Sequence, residues 1–357
     1  MQCDTKKLCI IARADTTGLG IQSRNWVRLL DPYKVVVIDS RPFNGNAQHF
    51  EWYAARKNSF IVNGFIKPNE IDAILNDVDI LLTFELPYNY SLIAAARARG
   101  IKTIIQNNWE FTDYLNQPNL PLPDLLVNHS YWHLDEQKQK WPEITDYCPT
   151  PLFIEDFSDV REHNLNRNKD KVRFLHIAGR QTYKDRNGTE DLLAAVKLIP
   201  RDIDFELVIK TQTTDIPAID DPRVVIDRSI VEDERELYRD FDTMIMPRRY
   251  AGGCLPMNEA LASGLPVIMT DIDPNNKILP SYWLVKAEKT DSFMARAEID
   301  VFTSDLNDLA ARIAQFAVMD STLLDGYKQS AVGIAQKEYS GEAVMKKWKT
   351  LVEKLYR

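Results

Sequence analysis

Residues 246–271 combine a glycine loop with a carboxylate at the start of a helix, and both features can serve ligand binding. Gly252 and Gly253 follow a short apolar run, and because glycine has no Cβ, this loop lets backbone amides come close to a ligand. A helix is predicted at about residues 257–263, and the free N–H groups at its start favour a phosphate. Glu259, in the predicted first turn, can accept hydrogen bonds from sugar hydroxyls, although helix capping alone is the competing interpretation.

Cationic residues gather after two other predicted strands of the second half. Gly179, Arg180, Lys184 and Arg186 follow an apolar run at residues 172–178. Ligands of βα folds bind at the carboxyl ends of strands, and fixed cations there stabilise negative charge that develops on a leaving group. A charged surface loop is the alternative interpretation. Arg248 and Arg249 follow the strand before the glycine loop, and we expect one of them to reach the same ligand.

A glycine turn also follows the first predicted strand of the chain. Gly18 and Gly20 lie between this strand and a helix, in a pattern weaker than GxGxxG. By itself this pattern proves little, and it is also that of an ordinary tight βα turn.

Carboxylates and aromatic rings follow later strands of the first half. Glu85 and Glu110 are placed to orient or deprotonate a hydroxyl group. Trp109 and Tyr88 are placed to stack on a sugar or a base, or simply to pack.

Other titratable groups give weaker signals. His129 follows the last predicted strand of the first half, but a lone histidine is more often structural. The pair Asp202 and Asp204 follows a helix end, and the pair Asp271 and Asp273 continues a strand. Neither context suits a metal, so we expect no metal site.

The elements that position these residues alternate between apolar strands and helices. Continuous apolar strands indicate parallel sheets covered on both faces. The polar segment 149–171 is interpreted as an interdomain connection with a surface loop, and a last helix is expected at about residues 342–356. The predicted strands are 8–12, 35–39, 80–84, 103–106, 125–127, 172–178, 205–209, 224–226, 243–246 and 267–269, and the other helices are 21–30, 69–76, 89–99, 131–140, 189–199 and 233–239.

Length and composition suit an ordinary globular protein of two domains. The chain has 357 residues, of which 45% are hydrophobic and 27% charged, and its formal net charge is −8. This acidic balance disfavours partners that are bound through a basic surface, such as nucleic acid or anionic membrane. No apolar run approaches the ~20 residues of a membrane span, and no signal-peptide core is visible, so we expect a cytoplasmic protein. The four cysteines have no zinc or disulfide spacing.

The region around Glu259 resembles the nucleotide-sugar signature of the retaining family-4 glycosyltransferases. The matching residues are Leu255-Pro256, Glu259-Ala260, Ser263-Gly264, Pro266-Val267-Ile268 and Asp271. That family carries two glutamates with seven residues between them. Glu259 matches the second, which contacts the nucleotide ribose in relatives. The first would fall at position 251, where this chain has Ala251, so the carboxylate that grips the donor sugar is absent.

The resemblance implies an α/β fold of the GT-B type. Two Rossmann-like βα domains would face each other across a cleft, and a C-terminal helix would cross back to the first domain. The expected domains are residues 1–155 with helix 341–357, which would bind the acceptor, and residues 170–335, which would bind the nucleotide-sugar donor.

The resemblance further implies retaining, metal-independent transfer of a hexose or pentose from a nucleoside diphosphate sugar, expected to be a UDP-sugar. The nucleotide sugar is a co-substrate, and no other cofactor is expected. The acceptor (a glycan, a protein, a small molecule or modified DNA) and the oligomeric state are left open, as is the choice between Lys184 and Arg186 for the diphosphate. The expected catalytic residues are Arg180, Lys184, Arg186 and Glu110, the donor-binding residues are Gly18, Gly20, Gly252, Gly253, Cys254, Leu255, Glu259 and Arg248, and the acceptor residues are Glu85 and Trp109.

Three rival functions remain. A phage-type glycosyltransferase acting on modified DNA bases would need a basic binding surface, against which the net charge counts. An epimerase of the same fold would need acidic and basic side chains around the sugar, and Ala251 removes one carboxylate from the place where the donor sugar would bind. A non-catalytic nucleotide-sugar-binding relative is the third, also because of Ala251.

Overall fold

The computed structural model describes residues 6–116, 119–167, 170–179, 184–212, 216–250 and 252–356, without the side chain of Tyr114. The chain divides into two compact units. The first comprises Met1–Leu152 and Gly341–Arg357, and the second comprises Phe153–Ser340.

Among the described residues of the first unit, seven parallel strands form one sheet in the order β3-β2-β1-β4-β5-β6-β7. Alternate residues of β1 (Leu8–Arg13), an interior strand, enter two different cores, Ile10 on one face and Ile11 on the other. Both faces are therefore covered, which explains the continuous apolar runs. The elements are β1 (Leu8–Arg13), α1 (Gly18–Leu30), β2 (Lys34–Asp39), α2 (Arg41–Asn44), β3 (Ser59–Asn63), α3 (Ile71–Leu75), β4 (Ile80–Phe84), α4 (Tyr90–Ala98), β5 (Lys102–Asn107), β6 (Leu125–Asn128), α5 (Leu134–Lys140) and β7 (Thr145–Tyr147).

In the described part of the second unit, six parallel strands form a sheet in the order β10-β9-β8-β11-β12-β13, and an antiparallel hairpin is formed by β14 and β15. The elements are α6 (Ser158–Asn166), β8 (Arg173–Gly179), α7 (Thr189–Val196), β9 (Glu206–Thr211), β10 (Val224–Asp227), β11 (Thr243–Met246), α8 (Leu255–Ala262), β12 (Val267–Thr270), α9 (Asn275–Ile278), β13 (Leu284–Val285), β14 (Ala287–Met294), β15 (Glu298–Ser304), α10 (Leu306–Ala317) and α11 (Ser321–Tyr339).

The last helix, α12 (Gly341–Leu355), returns to the core of the first unit. Its apolar stripe is buried in the same cluster as Trp26, and the rings of Trp26 and Trp348 lie 5.3 Å apart. The predicted α/β fold with two parallel sheets is thus confirmed, together with the return of the C-terminal helix to the first unit.

Two local predictions are wrong. Residues 161–170, part of the segment 149–171 that was expected to contain a surface loop, are helical up to Asn166, the end of α6. This helix is held in place because Val160 and Asn164 are buried. The Asn164 amide donates to the carbonyl oxygens of Tyr238 (2.9 Å) and Ser263 (3.0 Å), which ties the helix to the sheet. The predicted helix 233–239 is instead a 3-10 helix, Glu234–Tyr238.

Candidate functional site

The loop after β8 contacts the segment after β11 so closely that only glycine fits at residue 188. Gly188 has φ +72°, and a Cβ there would lie 2.0 Å from the carbonyl oxygen of Pro247. The neighbouring backbone is joined as well, since the Arg249 N–H donates to the Arg186 carbonyl at 2.9 Å. These contacts bring the two predicted cationic segments together at the carboxyl edge of the second sheet, where ligands of such folds bind.

The predicted cations of this edge have distinct surroundings. The ammonium of Lys184 pairs with Asp291 on β14. The guanidinium of Arg186 lies 5.7 Å from the ring centroid of Tyr250, a cation–π contact. Arg180 lies outside the described residues.

The start of α7 is already capped by a carboxylate that sequence reasoning missed. Asp185 accepts the N–H groups of Thr189 (3.1 Å) and Glu190 (2.8 Å). Burial raises the pKa of Asp185, partly offset by these two hydrogen bonds. Because the Asp185 carboxylate already accepts these N–H groups, the start of α7 is a poor place for a second anion.

The start of α8 differs from that of α7. Cys254 is the N-cap residue, and within the described residues its side chain accepts no hydrogen bond from the first-turn amides. Its sulfur lies 3.6 Å from the sulfur of Met246 instead. Pro256 in the first turn has no N–H group, so the N–H groups of the other first-turn residues are the donors that this uncapped helix start offers to an anion.

The two arginines after β11 hold the loop and the hairpin. Arg248 is buried, and its guanidinium donates to the Gly253 carbonyl at 3.0 Å, which fixes the glycine loop. Arg249 donates to the Phe302 carbonyl (3.0 Å) and the Thr303 hydroxyl (2.8 Å), both on β15. The hairpin, which had no apolar run to predict it, is thereby attached beside the site.

Glu259 lies about two residues further along α8 than predicted, beyond the first turn. The helix begins at Leu255, with Pro256 in its first turn, and contains no acidic residue there. Capping by the helix dipole is therefore a weaker explanation for Glu259, because this effect falls off within the first turn. Position 251, the site of the missing first glutamate, lies outside the described residues.

Glu259 has a partner that no linear pattern indicated. The hydroxyl of Tyr238, at the end of the 3-10 helix, donates to Glu259 Oε2 at 2.6 Å. Tyr238 is buried, and burial together with the nearby Glu259 charge holds its pKa well above the usual value. The phenol therefore remains a proton donor at any working pH and fixes the orientation of the carboxylate.

In the first unit, the glycine turn after β1 is required by packing. A Cβ at Gly20 would lie 1.8 Å from the Asp15 carbonyl oxygen. Gly18 begins α1, and the Thr17 hydroxyl caps this helix by accepting the Gly20 N–H at 3.3 Å. Asp15 is buried and accepts the Ser40 hydroxyl at 2.6 Å. Burial raises the pKa of Asp15, but hydrogen bonds from Ser40 and its other partners outweigh burial, so the net pKa is lowered.

Three residues at the ends of adjacent strands form a hydrogen-bonded chain. Glu85 follows β4, Asn108 follows β5 and His129 follows β6. Asn108 donates to Glu85 Oε1 at 2.8 Å, and its amide oxygen contacts His129 Nε2. Because that oxygen can only accept, His129 carries its proton on Nε2. The histidine expected to be structural is thus joined through Asn108 to Glu85, a predicted acceptor carboxylate.

The other predicted acceptor residues lie together after β5. Trp109 and Glu110 belong to the 3-10 helix Trp109–Phe111 and are half-buried. The Trp109 ring stacks on His133, with centroids 4.2 Å apart.

The described residues contain no group of three or more His, Cys, Asp or Glu side chains arranged to hold a metal ion. Within the same ranges, no helix is long and apolar enough to cross a membrane.

Known proteins resemble this chain in sequence over one region and in fold over almost its whole length. Residues 171–304 match the family model described as glycosyl transferases group 1. No curated protein sequence matches the chain at a significant level. A glycosyltransferase from Rickettsia africae ESF-5 and a sucrose-phosphate synthase from Thermosynechococcus elongatus each superpose with TM-score 0.66 at 15% identity, over 98% of this chain and 99% of theirs. An alpha-glucosyltransferase in complex with UDP and a 13-mer DNA superposes with TM-score 0.66 at 14% identity, over 98% of this chain and 100% of its own.

The solved structures share the fold, and the family model covers most of the second unit, including β8, the glycine loop and α8. The chain therefore has the GT-B fold, and its residues 171–304 match a glycosyl transferases group 1 domain, which supports a glycosyltransferase.

Proposed function

We propose that this glycosyltransferase moves a sugar from a UDP-sugar to an acceptor hydroxyl, with retention of anomeric configuration and without a metal ion. The observation that carries the proposal is the Glu259 carboxylate, fixed by the Tyr238 hydroxyl on the helix that follows the glycine loop. A carboxylate held in one orientation can accept both hydroxyls of a ribose. The choice of UDP as the nucleotide is supported by a solved structure of similar fold, an alpha-glucosyltransferase in complex with UDP.

The diphosphate is proposed to lie at the start of α8, with the amides after Gly252, Gly253 and Cys254 as donors. Arg186 is the cation we assign to it first, because its backbone is tied to the segment that leads into the glycine loop. Lys184 and Arg180 complete the cationic group. Arg248 acts by holding the Gly253 carbonyl, and thus the shape of the loop.

The proposed reaction proceeds on one face of the sugar. The bond between the anomeric carbon and the diphosphate oxygen breaks, and the acceptor oxygen forms its bond to that carbon from the same side. The acceptor proton passes to the leaving diphosphate, whose charge the cations and helix amides stabilise. No strong side-chain base is needed, so the chain of Glu85, Asn108 and His129 is assigned the orientation of the acceptor hydroxyl. Glu110 and Trp109 are assigned to the acceptor as well, and Gly18 and Gly20 to the approach of the donor.

A donor screen tests the proposal. Purified protein is heated with UDP-, GDP-, ADP- and CMP-sugars, and slow hydrolysis of each is followed by NMR, which also reports the anomer released first. We expect one donor to raise the midpoint in a concentration-dependent way and to be cleaved with retention. Stabilisation without cleavage would favour the non-catalytic relative that Ala251 suggests, and inversion of the anomer would refute retention.

Modified DNA is the second candidate acceptor, because one solved neighbour was crystallised with a 13-mer DNA. The net charge of −8 opposes it. Binding of a 13-mer duplex that weakens steeply with added salt would support this acceptor, and absence of binding at low salt would exclude it.

A further inference from the structure

Three aromatic side chains follow strand ends of the first sheet, and the ring of one of them, Phe43, contacts the other two. Phe43 lies in α2 after β2, Phe65 follows β3, and Tyr88 follows β4. The Phe43 ring centroid lies 4.7 Å from that of Phe65 and 6.4 Å from that of Tyr88. Phe43 is 42% exposed and Phe65 63% exposed, which is unusual for large rings that touch each other. We call Phe43, Phe65 and Tyr88 the aromatic ledge.

The loops that carry the aromatic ledge are fixed to one another by hydrogen bonds. The Gly64 N–H donates to the Asp39 carbonyl at 3.1 Å, and the Ile66 N–H donates to the Tyr88 carbonyl at 3.2 Å. The Asn89 amide donates to the Ile66 carbonyl at 2.9 Å. The exposed rings are therefore presented by a preorganised framework, which lowers the cost of ordering them around a ligand.

Two ion pairs lie beside the aromatic ledge. Arg41 forms a two-point pair with Asp39, at 3.0 Å through Nε and 2.6 Å through Nη2. Arg13 pairs with Asp15. A nucleic-acid strand is held mainly by cations that meet its phosphates, whereas paired charges offer donors and acceptors with little net field. This combination of apolar rings and balanced polar groups suits a neutral polyhydroxyl ring, which presents C–H groups on its face and hydroxyls at its edge.

We propose that the aromatic ledge is a carbohydrate-binding subsite on which a sugar ring of a saccharide acceptor stacks against Phe65 and Phe43. The assignment to the acceptor rests on the proposed glycosyl transfer. It is consistent with the sheet order β3-β2-β1-β4, which sets the aromatic ledge on the same carboxyl edge as Glu85.

The test uses the full chain and three neutral trisaccharides as probes: maltotriose, cellotriose and chitotriose. Binding is measured by saturation-transfer NMR for the wild type, Phe65→Ala, Phe43→Ala and the double variant. Ile61→Ala is the matched control, because Ile61 lies on β3 and is 51% exposed but does not belong to the aromatic ledge. We expect at least one trisaccharide to bind, and each ledge substitution to weaken it about threefold or more, the order contributed by one aromatic contact.

Several results would overturn the proposal. The wild type binding none of the three probes is one, and unchanged binding by a double variant that keeps its thermal midpoint is another. The double variant is also tested for binding to a 13-mer DNA duplex and to phosphatidylcholine–phosphatidylglycerol vesicles. If it loses binding to one of these and keeps binding to the saccharide, the rings belong to a different partner. Titration of the wild type with UDP separates the two proposals. Saccharide binding without UDP binding refutes the donor assignment alone, and UDP binding without saccharide binding refutes the aromatic ledge alone.

Discussion

Replacing Tyr238 by phenylalanine removes one hydroxyl from the donor site and leaves the packing of the ring in place. In the wild type this hydroxyl lies 2.6 Å from Glu259 Oε2, and the tyrosine is buried. The substitution therefore leaves the carboxylate without the donor that fixes its orientation. We expect a loss of both stability and ribose recognition.

The magnitude follows from the charge on the acceptor. A hydrogen bond to an ionised group contributes about 1.5–3 kcal/mol. We expect the free energy of unfolding to fall by about 1–2 kcal/mol, since the carboxylate regains part of its hydration. If the less well oriented carboxylate loses a similar free energy in its contact with the ribose, UDP binding weakens about tenfold, which corresponds to ~1.4 kcal/mol.

Isothermal titration with two nucleotides isolates the role of the ribose. UDP is compared with 2′,3′-dideoxyuridine diphosphate, which lacks the hydroxyls that Glu259 is proposed to accept. We expect Tyr238→Phe to weaken UDP about tenfold and the dideoxy nucleotide by less than about twofold. Tyr53→Phe is the matched control, because Tyr53 is also buried and donates to the Arg13 carbonyl at 2.9 Å in the other unit. It should lose stability without a change in UDP affinity.

Equal losses for the two nucleotides would mean that Tyr238 supports the fold of the site and not the ribose contact. UDP affinity unchanged by Tyr238→Phe would refute the orienting role directly.

Three further substitutions test the framework of the second unit. Gly188→Ala puts a Cβ 2.0 Å from the Pro247 carbonyl oxygen at φ +72°, so urea unfolding should show a loss of more than about 1 kcal/mol, with weaker UDP binding. Lys328→Met leaves the buried Asp242 carboxylate without the ammonium 2.8 Å away, and we expect a loss of about 3–5 kcal/mol in the same assay. Burial lowers the pKa of His176 from 6.5 to about 4, so its share of stability is present above pH 6.5 and about 3 kcal/mol is lost as the pH falls from 6.5 to 4. A His176→Gln variant should show a shallower decline over that range.

Each of these has a clear contrary result. A Gly188→Ala variant as stable as the wild type would deny the close approach of the two loops. Lys328→Met with unchanged stability would mean that the ion pair is offset by its desolvation, and Lys337→Met, on an exposed part of the same helix, serves as its control. Parallel pH profiles for His176→Gln and the wild type would mean that this imidazole takes up its proton equally in the folded and unfolded chain, so that burial does not lower its pKa.

The sheets were predictable because their strands are buried on both faces. β4 and β11, for example, are fully buried and apolar apart from one threonine each, and such runs identify covered parallel strands. The hairpin of β14 and β15 has no such run, since its strands are half-exposed and rich in charged residues. It is held by contacts from Arg249, which is distant in sequence.

The candidate site was predictable where it follows local rules and not where it depends on distant contacts. Polar residues at strand ends were expected at the carboxyl edge of the sheet, and Glu85 does follow β4, while the glycine loop predicted that a helix follows it. Tyr238 precedes its partner Glu259 by 21 residues and lies on a different element, so no spacing rule connects them. The start of α8 was misplaced because Leu255-Pro256 resembles a loop, although proline is well suited to the first turn of a helix.

Titration of the wild type and Glu259→Gln with UDP tests the donor site most directly. Glutamine keeps the size of the side chain and can still accept the Tyr238 hydroxyl, but it lacks the charge that strengthens hydrogen bonds from ribose hydroxyls. The account predicts that the wild type binds one UDP per chain and that Glu259→Gln binds it about tenfold or more weakly. A wild type that does not bind UDP, or a variant that binds it equally well, would contradict the account.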